Sequence, residues 1–135
     1  MTDPSSEPTT PTLFYVKAVV DPADKQRAQC TFYTASDCNP KSQVVPPLQI
    51  PKAAGAAIFV NVPTDANLLL VGAVADRVDT SIIDPTYVVA TSNFVTVAMP
   101  TAVVIEQGVL LIFSTQGAST QLFSSADPTI VNDTA

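Results

Sequence analysis

Histidine and tryptophan are absent from the sequence, and only 13% of its 135 residues are charged. Without histidine, imidazole chemistry and imidazole–metal coordination are excluded. The chain has six basic and twelve acidic residues, which give a net charge of −6. It therefore cannot present a basic stripe that matches a nucleic-acid backbone. Only four glycines occur, and they form no glycine-rich phosphate loop. Nucleic-acid and nucleotide binding are therefore not expected.

Groups suited to catalysis are also scarce. Cys30 and Cys38 have no histidine that could activate a thiolate nucleophile. Glu106 is the one charged residue between Pro85 and Ala126, and its neighbourhood Ile105–Gly108 predicts a hairpin turn. Several aspartates directly precede prolines, a pattern typical of turns. We expect no enzymatic activity, no catalytic residue and no cofactor.

The two cysteines are separated by seven residues, Thr31 to Asp37. Three states are open to them: two reduced thiols, an intramolecular disulfide, or a bridge between subunits. An intramolecular bridge would contribute about 2–3 kcal/mol through the small loop that it closes. Zinc is not expected, because two cysteines without histidine provide too few soft ligands.

The residues that are abundant favour strands. The chain has 18 valines, 7 isoleucines and 16 threonines, whose branched side chains pack well on a pleated sheet. Twelve prolines divide it into short segments and exclude long helices. We predict one all-β domain over residues 13–135, an antiparallel β-sandwich or jelly-roll-like fold.

The apolar pattern also predicts individual elements. Leu68–Ala75 is nearly all apolar, which is typical of a central strand buried on both faces. Ala102–Ile105 reads as a short strand, and Ala23–Arg27 as one helical turn. Pro46 and Pro47 limit their segment to an edge strand or an extended connection. We expect the following side chains to be largely buried: Phe59, Leu69, Val71, Val95, Val97, Leu111 and Phe113.

Residues 1–12 differ in composition from the rest of the chain. They contain three prolines, six serines or threonines and two acidic residues, with no aliphatic residue after Met1. This composition predicts an extended, polyproline-like N-terminal arm that lies along a neighbouring subunit. The segment has no basic start and no apolar core, so it is not a signal peptide. Two localisations remain open: cytoplasmic synthesis followed by assembly into a particle, or a mature secreted chain whose leader has been removed.

Asp76, Asp79 and Asp84 lie close together in the sequence, and calcium prefers clustered carboxylate oxygens. Their spacing does not match the calcium loop of an EF-hand, and Arg77 partly neutralises the segment. We interpret the three aspartates as a solvated acidic loop and expect no metal site.

Tyrosines raise the possibility of a binding module. Sugar-binding sites combine aromatic platforms with nearby amides and acids. A surface cluster of Tyr15, Tyr33 or Tyr87 with nearby acidic residues would be the sign of a lectin-like or other ligand-binding domain. The six phenylalanines fall within strand patterns and are expected in the core.

The C-terminal half is unusually poor in charge. Residues 85–126 contain one charged side chain among 42, yet roughly a third of a small domain's surface stays exposed. The uncharged stretch Pro85–Ile105 contains two prolines and an asparagine, so it predicts no membrane span. A neutral exposed surface suits permanent contact with copies of the same chain. We therefore expect an acidic, self-assembling homo-oligomer, a subunit of a coat, decoration layer, fibre, virion or filament; the alternative is the small binding module.

Overall fold

A computed structural model of the chain describes residues 10–64, 68–77, 88–91, 93–115, 121–125 and 128–134. This part forms eleven strands and two three-residue 3-10 helices, Pro40–Ser42 and Lys52–Ala54. The strands are β1 (Thr12–Val20), β2 (Arg27–Tyr33), β3 (Gln43–Val44), β4 (Leu48–Pro51), β5 (Ala56–Asn61), β6 (Leu69–Arg77), β7 (Val88–Thr91), β8 (Phe94–Ala98), β9 (Glu106–Ser114), β10 (Leu122–Ser125) and β11 (Thr129–Thr134). The all-β prediction is confirmed. No described helix is long and apolar enough to cross a membrane.

All eleven strands belong to one hydrogen-bonded sheet, ordered β4-β11-β9-β10-β2-β1-β5-β8-β7. Two strands branch from this path, because β3 pairs with β2 and β6 pairs with β9. The sheet curls so that β6 also lies close to β7 and β8 near the other end of the strand order. This curvature encloses the core between inward-facing side chains.

The sheet is mixed rather than purely antiparallel. Three pairs are parallel: β1 with β5, β2 with β10, and β4 with β11. Parallel partners need a connection that crosses over, so strands distant in sequence become neighbours. The pairing therefore corrects the prediction of an antiparallel sheet while keeping the fold class.

The core is built around packed aromatic rings. Phe59 on β5 stacks on Phe14 at 5.7 Å between ring centroids and meets Phe32 edge-on at 6.0 Å. Of the side chains expected in the core, five are fully buried: Phe59, Val95, Val97, Leu111 and Phe113. For these five, the alternation of apolar residues along the strands predicts the inward face correctly.

The predictions for β6 are wrong at two positions. Leu69 is 36% exposed and Val71 45% exposed, whereas Leu68 and Leu70 are buried. Only one face of β6 packs on the core, so the apolar run Leu68–Ala75 does not mark a strand buried on both faces. A register shift between Leu70 and Gly72 places Val71 in a bulge opposite β9.

Two further predicted elements are corrected. Residues 101–103 form bends instead of a strand, because the Asn132 side chain takes the place of a strand partner: its Nδ2 donates to the carbonyl of Pro100, which precedes the bends, and to that of Val103. Glu106 opens β9 rather than forming a hairpin turn, and Gly108 pairs with Thr129 inside the sheet.

Of the remaining predicted segments, one lies within the described residues and the other, the N-terminal arm, lies mostly outside them. The stretch Ala23–Arg27 contains a turn and the start of β2, and no helix. Residues 1–9 of the arm lie outside the described residues. Thr12, the last residue assigned to the arm, is the first residue of β1.

Candidate functional site

An exposed apolar face covers the outer side of β6, β9 and β10. Val74 pairs directly with Leu110, and these side chains are 54% and 38% exposed. Gly72 and Ser124 lie on either side of Ile112, and Leu122, 60% exposed, pairs with Ser114. We call this face the apolar surface, defined by Leu69, Val71, Val74, Leu110, Ile112 and Leu122.

A shallow groove of about 450 Å³ borders the apolar surface. Ile112, Leu122 and Phe123 form its apolar wall, and Gln26, Gln121 and Ser124 add polar groups. Beyond it, Arg27 pairs with Asp24 at 3.4 Å in an exposed ion pair. The apolar surface therefore meets charged side chains at its β2 edge.

A second feature crosses the outer face of four strands on another part of the sheet. Tyr33 on β2 pairs with Tyr15 on β1, Tyr15 pairs with Val60 on β5, and Val60 pairs with Phe94 on β8. All four side chains are half-buried, and their inward-facing neighbours form the core. We call these four residues the tyrosine row.

Tyr15 and Tyr33 add phenol hydroxyls to the tyrosine row. Among the described residues, neither Tyr15 nor Tyr33 makes a side-chain hydrogen bond. A phenol both donates and accepts a hydrogen bond, so each ring offers an apolar face and a polar group. Lys17 follows on the same face of β1, and Tyr87 lies outside the described residues.

Cys30 and Cys38 carry thiols in the structure, the first half-buried and the second buried. The Cys38 Sγ donates a hydrogen bond to the Ser36 carbonyl at 3.9 Å. Burial raises the pKa of the Cys38 thiol from its ordinary value of 9.0, nearby Lys17 lowers it and Asp37 raises it further. A thiol held in its protonated form is a poor nucleophile.

Of the three clustered aspartates, Asp79 and Asp84 lie outside the described residues, and Asp76 is placed only as a strand residue of β6. Within the described residues, no group of three or more acidic or cysteine side chains is arranged to hold a metal ion. Glu106 is exposed and borders a shallow pocket of about 310 Å³ together with Pro46, Pro47 and Thr129.

No protein-family model matches the chain, and no curated protein is significantly similar to it.

Sequence reasoning found the low charge of residues 85–126 but missed where the apolar surface forms. Val74 and Leu110 come from strands that are 36 positions apart at this pair, and their register becomes evident only in the folded sheet. The tyrosine row is not evident from the sequence for the same reason, since its four residues come from four strands. Strand alternation predicts that Tyr15 and Phe14 face opposite sides, but not which tyrosine is its neighbour.

Proposed function

We propose that this protein is a structural subunit that self-associates through the apolar surface, with its N-terminal arm lying along a neighbouring copy. The observation that carries the proposal is the apolar surface on β6, β9 and β10. Contiguous exposed apolar patches on a small domain mark sites of association. A coat, decoration layer or fibre would use such a surface many times.

The composition of the surface supports permanent association. Its six side chains are aliphatic, and charged residues are depleted from the centres of stable interfaces. Many identical weak contacts offset the entropy lost on association through multivalency.

Gly72 provides a direct test, because it lies opposite Ile112 within the apolar surface. A Cβ atom added at Gly72 would meet no atom within 4 Å, and its backbone does not adopt the left-handed conformation. Gly72→Glu therefore introduces a charge into the surface without a steric clash, and Gly72→Gln introduces the same bulk without charge. Sedimentation velocity over a concentration series then compares both variants with the wild-type chain.

We expect the wild-type chain and Gly72→Gln to associate and Gly72→Glu to remain monomeric. Circular dichroism of each variant checks that the sheet is intact. A wild-type chain that stays monomeric at high concentration would contradict the proposal. Equal association of Gly72→Glu and Gly72→Gln would show that another surface is used.

The adjacency of Tyr15 and Tyr33 favours a second candidate, a small binding module for carbohydrate or another small ligand. Asp37, four residues after Tyr33, is the acidic residue nearest to it along the chain. Two neighbouring tyrosines whose hydroxyls bond to no described residue resemble the aromatic platform of a sugar site. A glycan array probed with the wild-type chain and with Tyr15→Thr tests this candidate. If the candidate is correct, the wild-type chain binds a glycan and the variant does not.

A further inference from the structure

We infer that the tyrosine row binds the proline-rich N-terminal arm of a second copy of this chain. The inference rests on the proposed self-association and names the surface that receives the arm. It gives a function to two features that the apolar surface leaves unexplained, namely a row of half-buried aromatic side chains and a segment rich in proline.

The chemistry of the row suits a polyproline segment. Proline-rich peptides bind to aromatic grooves in an extended conformation that exposes their backbone carbonyls. The rings of Tyr15, Tyr33 and Phe94 offer apolar faces to proline side chains. The two phenol hydroxyls can donate hydrogen bonds to backbone carbonyls, for which they have no competing partner among the described residues.

The dimensions of the two partners also agree. Tyr33 and Phe94 are three strand spacings apart, which is about 14 Å across the sheet. Pro4 and Pro8 are four residues apart, about 12 Å along a polyproline helix. One arm can therefore place a proline near each end of the row.

The direction in which the described chain enters β1 favours a second copy as the donor of the arm. Thr10 and Pro11 form no turn before β1 begins at Thr12. The chain thus enters β1 without reversing, whereas Tyr15 lies three residues further along the same strand. An arm that continues in this direction leaves its own tyrosine row and can reach the row of a neighbour.

The charges near the row are compatible with this partner. Lys17 lies two residues after Tyr15 on the same face of β1, and the arm carries Asp3 and Glu7. Lys17 is thus a cation on the face of the row, on a chain of net charge −6, and it attracts an acidic segment.

Two sets of full-length variants test the inference from both sides. Pro4→Ala with Pro8→Ala changes the arm, and Tyr15→Thr with Tyr33→Thr changes the row. Tyr15→Phe with Tyr33→Phe keeps the rings and removes the hydroxyls, in case the threonine variant does not fold. Val19→Thr is the matched control, since Val19 is exposed on β1 outside the row.

In sedimentation velocity, we expect the double proline variant and the double threonine variant each to raise the concentration for half-association roughly tenfold, as loss of an aromatic anchor does. The phenylalanine variant should show a smaller rise, and Val19→Thr none. A synthetic peptide of residues 1–11 added to the Pro4→Ala, Pro8→Ala chain should shift the ring resonances of Tyr15 and Tyr33 saturably. The chain has three tyrosines and no tryptophan, so these signals are readily assigned. A peptide with alanine at both proline positions is the control.

The outcomes separate this inference from the proposed function. If the wild-type chain associates, Gly72→Glu abolishes association and the row variants match Val19→Thr, the inference is wrong and the proposed function stands. If the wild-type chain is monomeric, both fail. Glycan binding at Tyr15 without any effect of the peptide would also overturn the inference.

Discussion

Gln107 is a buried amide whose hydrogen bonds are incomplete. Its side chain is fully buried, Nε2 donates to the Gly108 carbonyl at 2.9 Å, and Oε1 accepts no hydrogen bond from any described residue. A buried acceptor without a donor costs about 1–3 kcal/mol, while the bond to Gly108 contributes about 1 kcal/mol. The side chain therefore reduces the stability of a core made mainly of apolar residues.

We predict that Gln107→Met leaves the free energy of unfolding unchanged or raises it by about 1 kcal/mol, because methionine fills a similar volume. Urea unfolding followed by circular dichroism measures the change. Gln43→Met, at an exposed position of β3, is the control. A loss greater than about 1 kcal/mol would mean that a bound water completes the hydrogen bonding of Oε1.

The raised pKa of the Cys38 thiol makes stability depend on pH in the alkaline range. Above the ordinary value of 9.0, the unfolded chain loses the thiol proton before the folded chain does. The contribution of the Cys38 thiol to the free energy of unfolding is therefore fully present below about pH 9 and declines as pH rises above that value. We predict that unfolding free energy falls from pH 8 to pH 10.5 more steeply for wild type than for Cys38→Ala. Parallel slopes would contradict the assignment.

Adjacent leucines on β6 test which face of the strand is buried. Leu70 points into the core and Leu69 is exposed. We predict that Leu70→Ala lowers the free energy of unfolding by about 2–5 kcal/mol, whereas Leu69→Ala changes it by about 0.5 kcal/mol. Urea unfolding of the two variants provides the comparison. Equal losses would indicate a strand buried on both faces.

This pair also explains why sequence reasoning failed at β6. A continuous apolar run is compatible with burial on both faces or with an apolar face exposed for association. The pattern in Leu68–Ala75 does not distinguish these cases. The buried positions Phe59 on β5 and Val95 and Val97 on β8 are predicted correctly, since the alternate positions beside them are half-buried and alternation then identifies the inward face.

At the scale of elements, Asn132 fixes the connection between β8 and β9. Its Nδ2 donates to the Pro100 and Val103 carbonyls, both at 2.8 Å, and its Oδ1 accepts from the Ile105 amide at 2.7 Å. The residue is fully buried on β11. One side chain thus replaces the hydrogen bonds that a strand partner would otherwise provide. This is why Ala102–Ile105 is not a strand despite its β-branched composition.

We predict that Asn132→Asp destabilises the fold by about 3 kcal/mol or more, because both donors are lost and a carboxylate is placed near two carbonyls. Asn132→Ala should cost a similar amount by leaving three backbone groups without partners. Thermal unfolding measures both, with Asp133→Asn on the exposed side of β11 as the control. A loss near zero would show that the connection does not depend on Asn132.

At the scale of the whole molecule, composition predicts the fold class but not the order of strands. The high content of valine, isoleucine and threonine is sufficient to indicate an all-β domain. The parallel pairing of β1 with β5 depends on contacts between Leu13 and Ile58 and their neighbours, which lie more than forty residues apart. No local pattern encodes such a pairing, and both candidate surfaces depend on it or on similar pairings.

The net charge of the chain opposes association between copies. Each copy carries a net charge of −6, and Arg27–Asp24 is the one ion pair among the described residues. Copies that approach each other therefore repel, while the apolar surface attracts through burial of aliphatic side chains. Added salt screens the repulsion over a Debye length of about 10 Å at 0.1 M, and sulfate also strengthens apolar burial. Lys17 contributes a single attraction that salt would weaken, which is small beside the repulsion between like-charged copies.

We predict that the concentration for half-association falls as sodium chloride rises from 0.05 to about 0.5 M, and falls further in sodium sulfate of equal ionic strength. Sedimentation velocity measures it, with Gly72→Glu as the non-associating control. Dissociation at high sodium chloride would mean that ion pairs, rather than the apolar surface, hold the copies together.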